Sequence, residues 1–275
     1  MKTIRAIIIA ALSLILLYAC STGTGTRIPA ATAPVIDRIL QKGELTVGTA
    51  AGMPPLNMTT QKGKIIGLEA DLARYMADSM GVKLNLKAIQ FSKLLAALES
   101  GQIDMILSGM TMTSKRNLKV AFAGPYYVSG KGLLTNVSTL SSITDPNALD
   151  NRKFKIAALE GSTSAEFVRV IMKKATLVTT KDYDTAVDMV IQRKVDAMLA
   201  DHPICVVSVA RYPQHNLFSI IAPFTYEPLG VALPADDPLL VNWVTNFLNK
   251  LEDSGVLEKM RDRWFRDVSW VKKLQ

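Results

Sequence analysis

Gly67-Leu68-Glu69-Ala70-Asp71-Leu72-Ala73-Arg74-Tyr75-Met76-Ala77-Asp78-Ser79-Met80-Gly81-Val82-Lys83-Leu84-Asn85-Leu86 is the stretch that decides the fold. Its apolar residues Leu68, Leu72, Tyr75, Met76 and Met80 recur at helical spacing, and Gly81 supplies a stop. Val82, Leu84 and Leu86 then alternate with polar residues, the period of a half-buried strand. A helix that feeds straight into a strand is the repeating unit of an α/β fold.

The alternation continues in both directions. Upstream, Val35 to Leu40 gives one or two helical turns and Glu44 to Thr49 a strand. Downstream, Phe91 to Leu98 reads as helical, Gly101 stops it, and Ile103 to Leu107 is a short apolar strand. The pattern begins again near Lys153. Lys155–Leu159 is a strand, and Gly161-Ser162-Thr163-Ser164 opens a helix running to about Lys173. Ala175–Thr179 and Val195–Leu199 read as strands, Tyr183–Arg193 and Pro203–Tyr212 as helices. This predicts two α/β units, each a parallel sheet with helices on its faces. Neither unit carries a full dinucleotide-binding fingerprint. The amphipathic stretches Leu239–Leu251 and Val256–Phe265 bring no sheet of their own, so they are expected on the first unit. Lobe 1 is then residues 35–131 plus 223–275, and lobe 2 is residues 132–222.

Lys2 and Arg5 precede an apolar run from Ala6 to Ala19 that Ser21-Thr22-Gly23 ends. A membrane span needs about 20 apolar residues, so the run reads as a secretory signal over residues 1–19. It closes on Leu17-Tyr18-Ala19-Cys20, which resembles the bacterial lipobox. That resemblance implies lipidation of Cys20 and a membrane anchor on the extracytoplasmic or periplasmic side. A plain signal peptide with an incidental cysteine is the competing reading. Residues 20–34, rich in Thr, Ala, Gly and Pro, form a flexible tether. The other cysteine, Cys205, has no disulfide partner if Cys20 is acylated. The formal charge of +8 is scattered without aromatic interleaving, which points to a solvated surface and away from nucleic acid. His202 and His215 have no partners at metal-ligand spacing. The expected protein is a monomer with no metal and no cofactor.

The heptad Gly67–Ala73 is followed by Leu98-Glu99-Ser100-Gly101-Gln102-Ile103-Asp104, Gly109-Met110-Thr111-Met112-Thr113-Ser114-Lys115-Arg116 and Phe122-Ala123-Gly124-Pro125-Tyr126-Tyr127. Glu160-Gly161-Ser162-Thr163 and Val195-Asp196-Ala197-Met198-Leu199-Ala200-Asp201 complete the series. In order and spacing the chain resembles family 3 solute-binding proteins, the polar amino acid-binding components of ABC transporters. The resemblance implies an α/β, two-lobed periplasmic-binding-protein-like fold with a hinge and an interlobe ligand cleft. It also implies a non-enzymatic role, delivering an amino acid or similar zwitterion or carboxylate to a transporter permease.

A zwitterion buried in a cleft needs a partner for each charge. Arg116 can hold a carboxylate bidentately, with Thr111 and the backbone at Gly109 adding bonds. Ser162 and Thr163 stand at a helix N-terminus that favours an anion, and Asp201 ends a strand where it can accept an ammonium. The resemblance implies these same roles. Each residue has a competing structural role: Arg116 as a surface partner of Glu99 or Asp104, Ser162 as an N-cap, and Asp201 as the cap of the helix near Pro203. In Ala50-Ala51-Gly52-Met53-Pro54-Pro55-Leu56, relatives carry a Tyr and a Phe where this chain has Met53 and Leu56. Phe91 fills the place of the second aromatic wall. Ala50 stands where binders of basic amino acids carry an acid. Lysine, arginine and histidine are therefore expected to be poor ligands, and a neutral amino acid is favoured.

The chain is expected to cross between lobes near Ser129–Leu133 and Ala222–Pro228, with closure driven by a ligand that bridges both bodies. Two alternatives stand beside transport. One is a cyclohexadienyl dehydratase-like enzyme, a subfamily with a glutamate shortly after the Asp201 position, where His202-Pro203-Ile204-Cys205 offers no carboxylate. The other is a ligand-sensing input to a separate receptor.

Overall fold

The computed structural model describes residues 33–141, 149–220 and 225–274. The expected signal, Cys20 and nearly all of the tether lie outside the described residues, as do residues 222–224 of the second expected crossing.

The strands run β1 (Glu44–Thr49), β2 (Gly52–Met53), β3 (Asn57–Thr59), β4 (Ile65–Ile66), β5 (Lys83–Ala88), β6 (Met105–Ile106) and β7 (Ala121–Ser129). They continue as β8 (Lys131–Asn136), β9 (Lys155–Leu159), β10 (Thr176–Thr180), β11 (Ala197–Asp201), β12 (Leu217–Ile220) and β13 (Glu227–Leu233). One five-stranded sheet has the order β5-β1-β6-β13-β7 and a second has β10-β9-β11-β8-β12. A small antiparallel sheet, β2-β3-β4, shapes the loop after β1.

The sheets are mixed, which corrects the expectation of purely parallel ones. β5, β1 and β6 pair in parallel, as do β10, β9 and β11. β13 is antiparallel to β6 and β7, and β8 is antiparallel to β11 and β12. The reason is the connection. β7 ends one sheet and β8 begins the other with only Gly130 between them, while β12 and β13 return in the opposite direction. Lys131, taken from the sequence as the end of the first unit, instead opens β8, directly opposite Asp201 of β11.

The helix Leu68–Met80 forms as its spacing predicts and ends at Gly81. It buries Leu68, Leu72 and Met76, but Tyr75 is turned outward. The same core takes Leu45 and Val47 of β1, Val231 and Leu233 of β13, and Leu240, Val244 and Leu248 from the helix Pro238–Asp253. Each fully buried leucine or valine of this kind contributes about 1.5–3 kcal/mol. Buried Asp237 ties the helix Pro34–Lys42 to the helix Pro238–Asp253. One of its oxygens accepts the Val35 and Ile36 amides, both at 2.9 Å, and the other accepts Leu240 N–H at 2.8 Å. It thereby satisfies free donors at the starts of two helices. Among the described residues, no helix is long and apolar enough to cross a membrane.

Candidate functional site

Thr113 caps the short helix Ser114–Asn117 by accepting the Arg116 amide, and this turn aims Arg116 across the gap between the sheets. The guanidinium donates to the Thr111 carbonyl at 2.8 Å and to the Gly161 carbonyl of the facing lobe at 3.1 Å. It lies 5.8 Å from the centre of the Phe91 ring. Desolvation lowers the Arg116 pKa, opposed by the negative charges of Asp201 and Glu227. Both proposed surface partners are engaged elsewhere: Asp104 pairs with Arg38 at 2.7 Å and Glu99 with Lys119 at 3.8 Å. Arg116 is a cleft residue.

From the second sheet, the Gly161 turn leads into the helix Thr163–Ile171. Ser162 is its N-cap, accepting the Ala165 amide at 3.1 Å and donating to the Leu159 carbonyl at 2.6 Å. Its hydroxyl is thus occupied in both senses. The Thr163 hydroxyl instead enters the cleft, 3.4 Å from the hydroxyl of Thr111. Asp201 is buried and makes no capping bond to the helix it precedes, so the capping role is excluded. Its Oδ1 accepts Lys131 Nζ at 2.9 Å.

Lys131 is a residue that sequence reasoning missed. Its ammonium also reaches Thr163 Oγ1 at 2.7 Å and Glu227 Oε2 at 3.2 Å. Glu227, at the start of β13, is held further by the hydroxyls of Thr225 and Thr163, each at 3.0 Å. The two sheets therefore contribute a closed charge cluster from residues far apart in sequence, and only the antiparallel crossings bring them together.

Glu69 was also missed, although it lies in the opening heptad. It is fully buried and accepts Asn57 Nδ2 at 2.5 Å, the Gly109 amide at 2.6 Å and the Tyr126 hydroxyl. Desolvation raises its pKa. It fixes the Gly109 loop from behind, so the Gly109 amide, expected to face a ligand, is committed to Glu69. Gly109 has φ +56°, and a Cβ there would stand 2.8 Å from Met53 Cε. Met53 is buried over this loop, with Ser108 Oγ 3.5 Å from its sulfur. Met53 and Phe91 share one apolar cluster with Tyr183 of the second lobe. At the rim, Gln90 and Ser92 bond Glu160 across the gap at 3.1 and 3.3 Å. The structure thus gathers Thr111, Arg116, Thr163 and Asp201 at one cleft between the lobes. Phe91 packs beside Arg116 and Met53 beside the Gly109 loop, while Ser162 and Gly109 hold the turns that carry the site. Among the described residues, no group of three or more His, Cys, Asp or Glu side chains is placed to hold a metal.

The family model for bacterial extracellular solute-binding proteins, family 3, matches residues 45–267. A putative binding component of an ABC transporter from Wolinella succinogenes, solved with lysine, is 35% identical with a TM-score of 0.79; the match covers 84% of this chain and 100% of that one. An ancestral amino acid-binding protein, a precursor of cyclohexadienyl dehydratase, is 32% identical with a TM-score of 0.77, over 84% and 99% of the two chains. Cyclohexadienyl dehydratase of Pseudomonas aeruginosa is 25% identical, over 83% of this chain and 85% of that protein.

Proposed function

Because the chain belongs to the bacterial extracellular solute-binding proteins of family 3, we propose that it captures an amino acid or similar small carboxylate by closing two lobes on it. The closed form is then delivered to an ABC transporter permease. The observation that carries this reading is Arg116, a guanidinium that touches backbone carbonyls on both lobes. A carboxylate placed there contacts both bodies at once, so it binds the closed state better than the open one and drives closure. Thr111 and Thr163 supply hydroxyls from either side, Asp201 an acceptor, and Phe91 and Met53 apolar walls. Ala50 stands where binders of basic amino acids carry an acid, which favours a neutral ligand side chain over the lysine with which the Wolinella relative was solved.

The protein acts on this reading as a monomer, anchored at the extracytoplasmic face through Cys20, with residues 20–34 as its tether. Cys20→Ser is expected to move it from the membrane fraction to the soluble one. Likeness to cyclohexadienyl dehydratase keeps an enzyme in view, but residues 202–205 offer no acid. Glu227 accepts hydrogen bonds on both oxygens and is paired with Lys131. Release of phenylpyruvate from prephenate would replace the binding-protein reading. The direct test is a thermal-shift screen against the twenty amino acids and related carboxylic acids. A ligand that prefers the native state raises the melting temperature by mass action. A rise with a small carboxylate, abolished in Arg116→Ala, is the expected result; no rise with any of them contradicts it.

A further inference from the structure

The two ends of the cleft are unequally filled. An ammonium has three N–H donors, and Lys131 turns them toward Thr163 Oγ1, Asp201 Oδ1 and Glu227 Oε2 at 2.7, 2.9 and 3.2 Å. Its side chain is only 2% exposed. The placement is built into the backbone, because Lys131 and Asp201 are register partners across β8 and β11. Thr225 reinforces it by accepting the Lys131 amide at 3.2 Å while donating to Glu227. Arg116, by contrast, bonds only backbone carbonyls, with no carboxylate within 4 Å among the described residues.

We infer that Lys131 is a built-in ammonium occupying the seat where an amino acid would place its own. The preferred ligand is then a small 2-hydroxy carboxylate with no charged α-amino group. The inference rests on the cleft reading above and narrows it. The carboxylate of such a ligand meets Arg116, and its neutral hydroxyl donates to Asp201 Oδ2, the oxygen not taken by Lys131. An α-ammonium at the same place has three donors to satisfy, and Lys131 already takes Thr163 Oγ1, Asp201 Oδ1 and Glu227 Oε2.

Matched pairs test this by titration calorimetry on the purified protein: lactate with alanine, 2-hydroxyisocaproate with leucine, and 3-phenyllactate with phenylalanine. For the side chain that fits, the hydroxy acid is expected to bind at least about tenfold tighter, and Lys131→Met is expected to reverse the order. Equal or tighter binding of the amino acid by the unmodified protein overturns the inference and leaves the cleft reading intact. Binding that survives Arg116→Ala unchanged, or no binding of any pair, overturns the cleft reading itself. If Lys131→Met fails to fold, the ranking within pairs in the unmodified protein still decides.

Discussion

The Arg116 end of the cleft and the Lys131 end are both cationic, yet their charges are met differently. Lys131 is neutralised within the chain by Asp201 and Glu227. Arg116 donates only to backbone carbonyls, which are weaker partners than a carboxylate. A cation buried with its counter-ions is a structural element, and removing it strands charges. A cation left facing dipoles across a cleft is a place for an anion from outside. The comparison separates the residues that hold the cleft in shape from the residue that waits for a ligand.

The largest effect should come from breaking the satisfied end. Lys131→Met leaves Asp201 and Glu227 buried without a counter-ion, and loss of one partner of a buried pair costs about 3–5 kcal/mol. Denaturant melts should register that loss directly. At the waiting end, Arg116→Ala should barely change stability but weaken ligand binding about 100-fold, equivalent to roughly 2.8 kcal/mol at tenfold per 1.4 kcal/mol. If the two variants exchange these signatures, the contrast between the ends is wrong. Ser162→Ala should cost about 1 kcal/mol of stability through loss of the cap, with ligand affinity within about twofold. A tenfold loss of affinity instead would restore Ser162 as a ligand contact.

Glu69 sharpens the comparison through pH. Burial raises its pKa, so the folded state favours the protonated acid. The stability it contributes is complete below the ordinary carboxylate pKa and is lost as pH rises through its folded value. The melting-temperature advantage of the unmodified protein over Glu69→Gln should therefore be greatest at acid pH and shrink as pH rises. A gap that widens with pH would mean that the folded state holds the carboxylate ionised.

Much of this architecture was legible because helical and strand periods are local. Leu68, Leu72 and Met76 form one face within a single segment, and the buried face of the helix follows from their spacing. β7 and β13 were not legible. Gly124 and Pro125 interrupt the first, and the second shifts register between Leu229 and Val231 around Gly230. Neither shows clean alternation. At the site, Arg116, Thr163 and Asp201 stood out through their places at turns and strand ends. Lys131 and Glu227 are single charges on strands that were not recognised, and only the antiparallel crossings join them. Glu69 carried no local sign of burial, because an acid in the first turn of a helix is ordinarily a solvated partner of the helix dipole.

The central claim is that one ligand bridges both lobes at Arg116. Hydrogen–deuterium exchange with and without the strongest hit of the thermal-shift screen tests it most directly. The account predicts added protection on both faces together, around Thr111–Arg116 and around Gly161–Ser164. Protection confined to one lobe, or to the open depression over the hinge lined by Tyr127, Ser129, Thr225 and Tyr226, would contradict it.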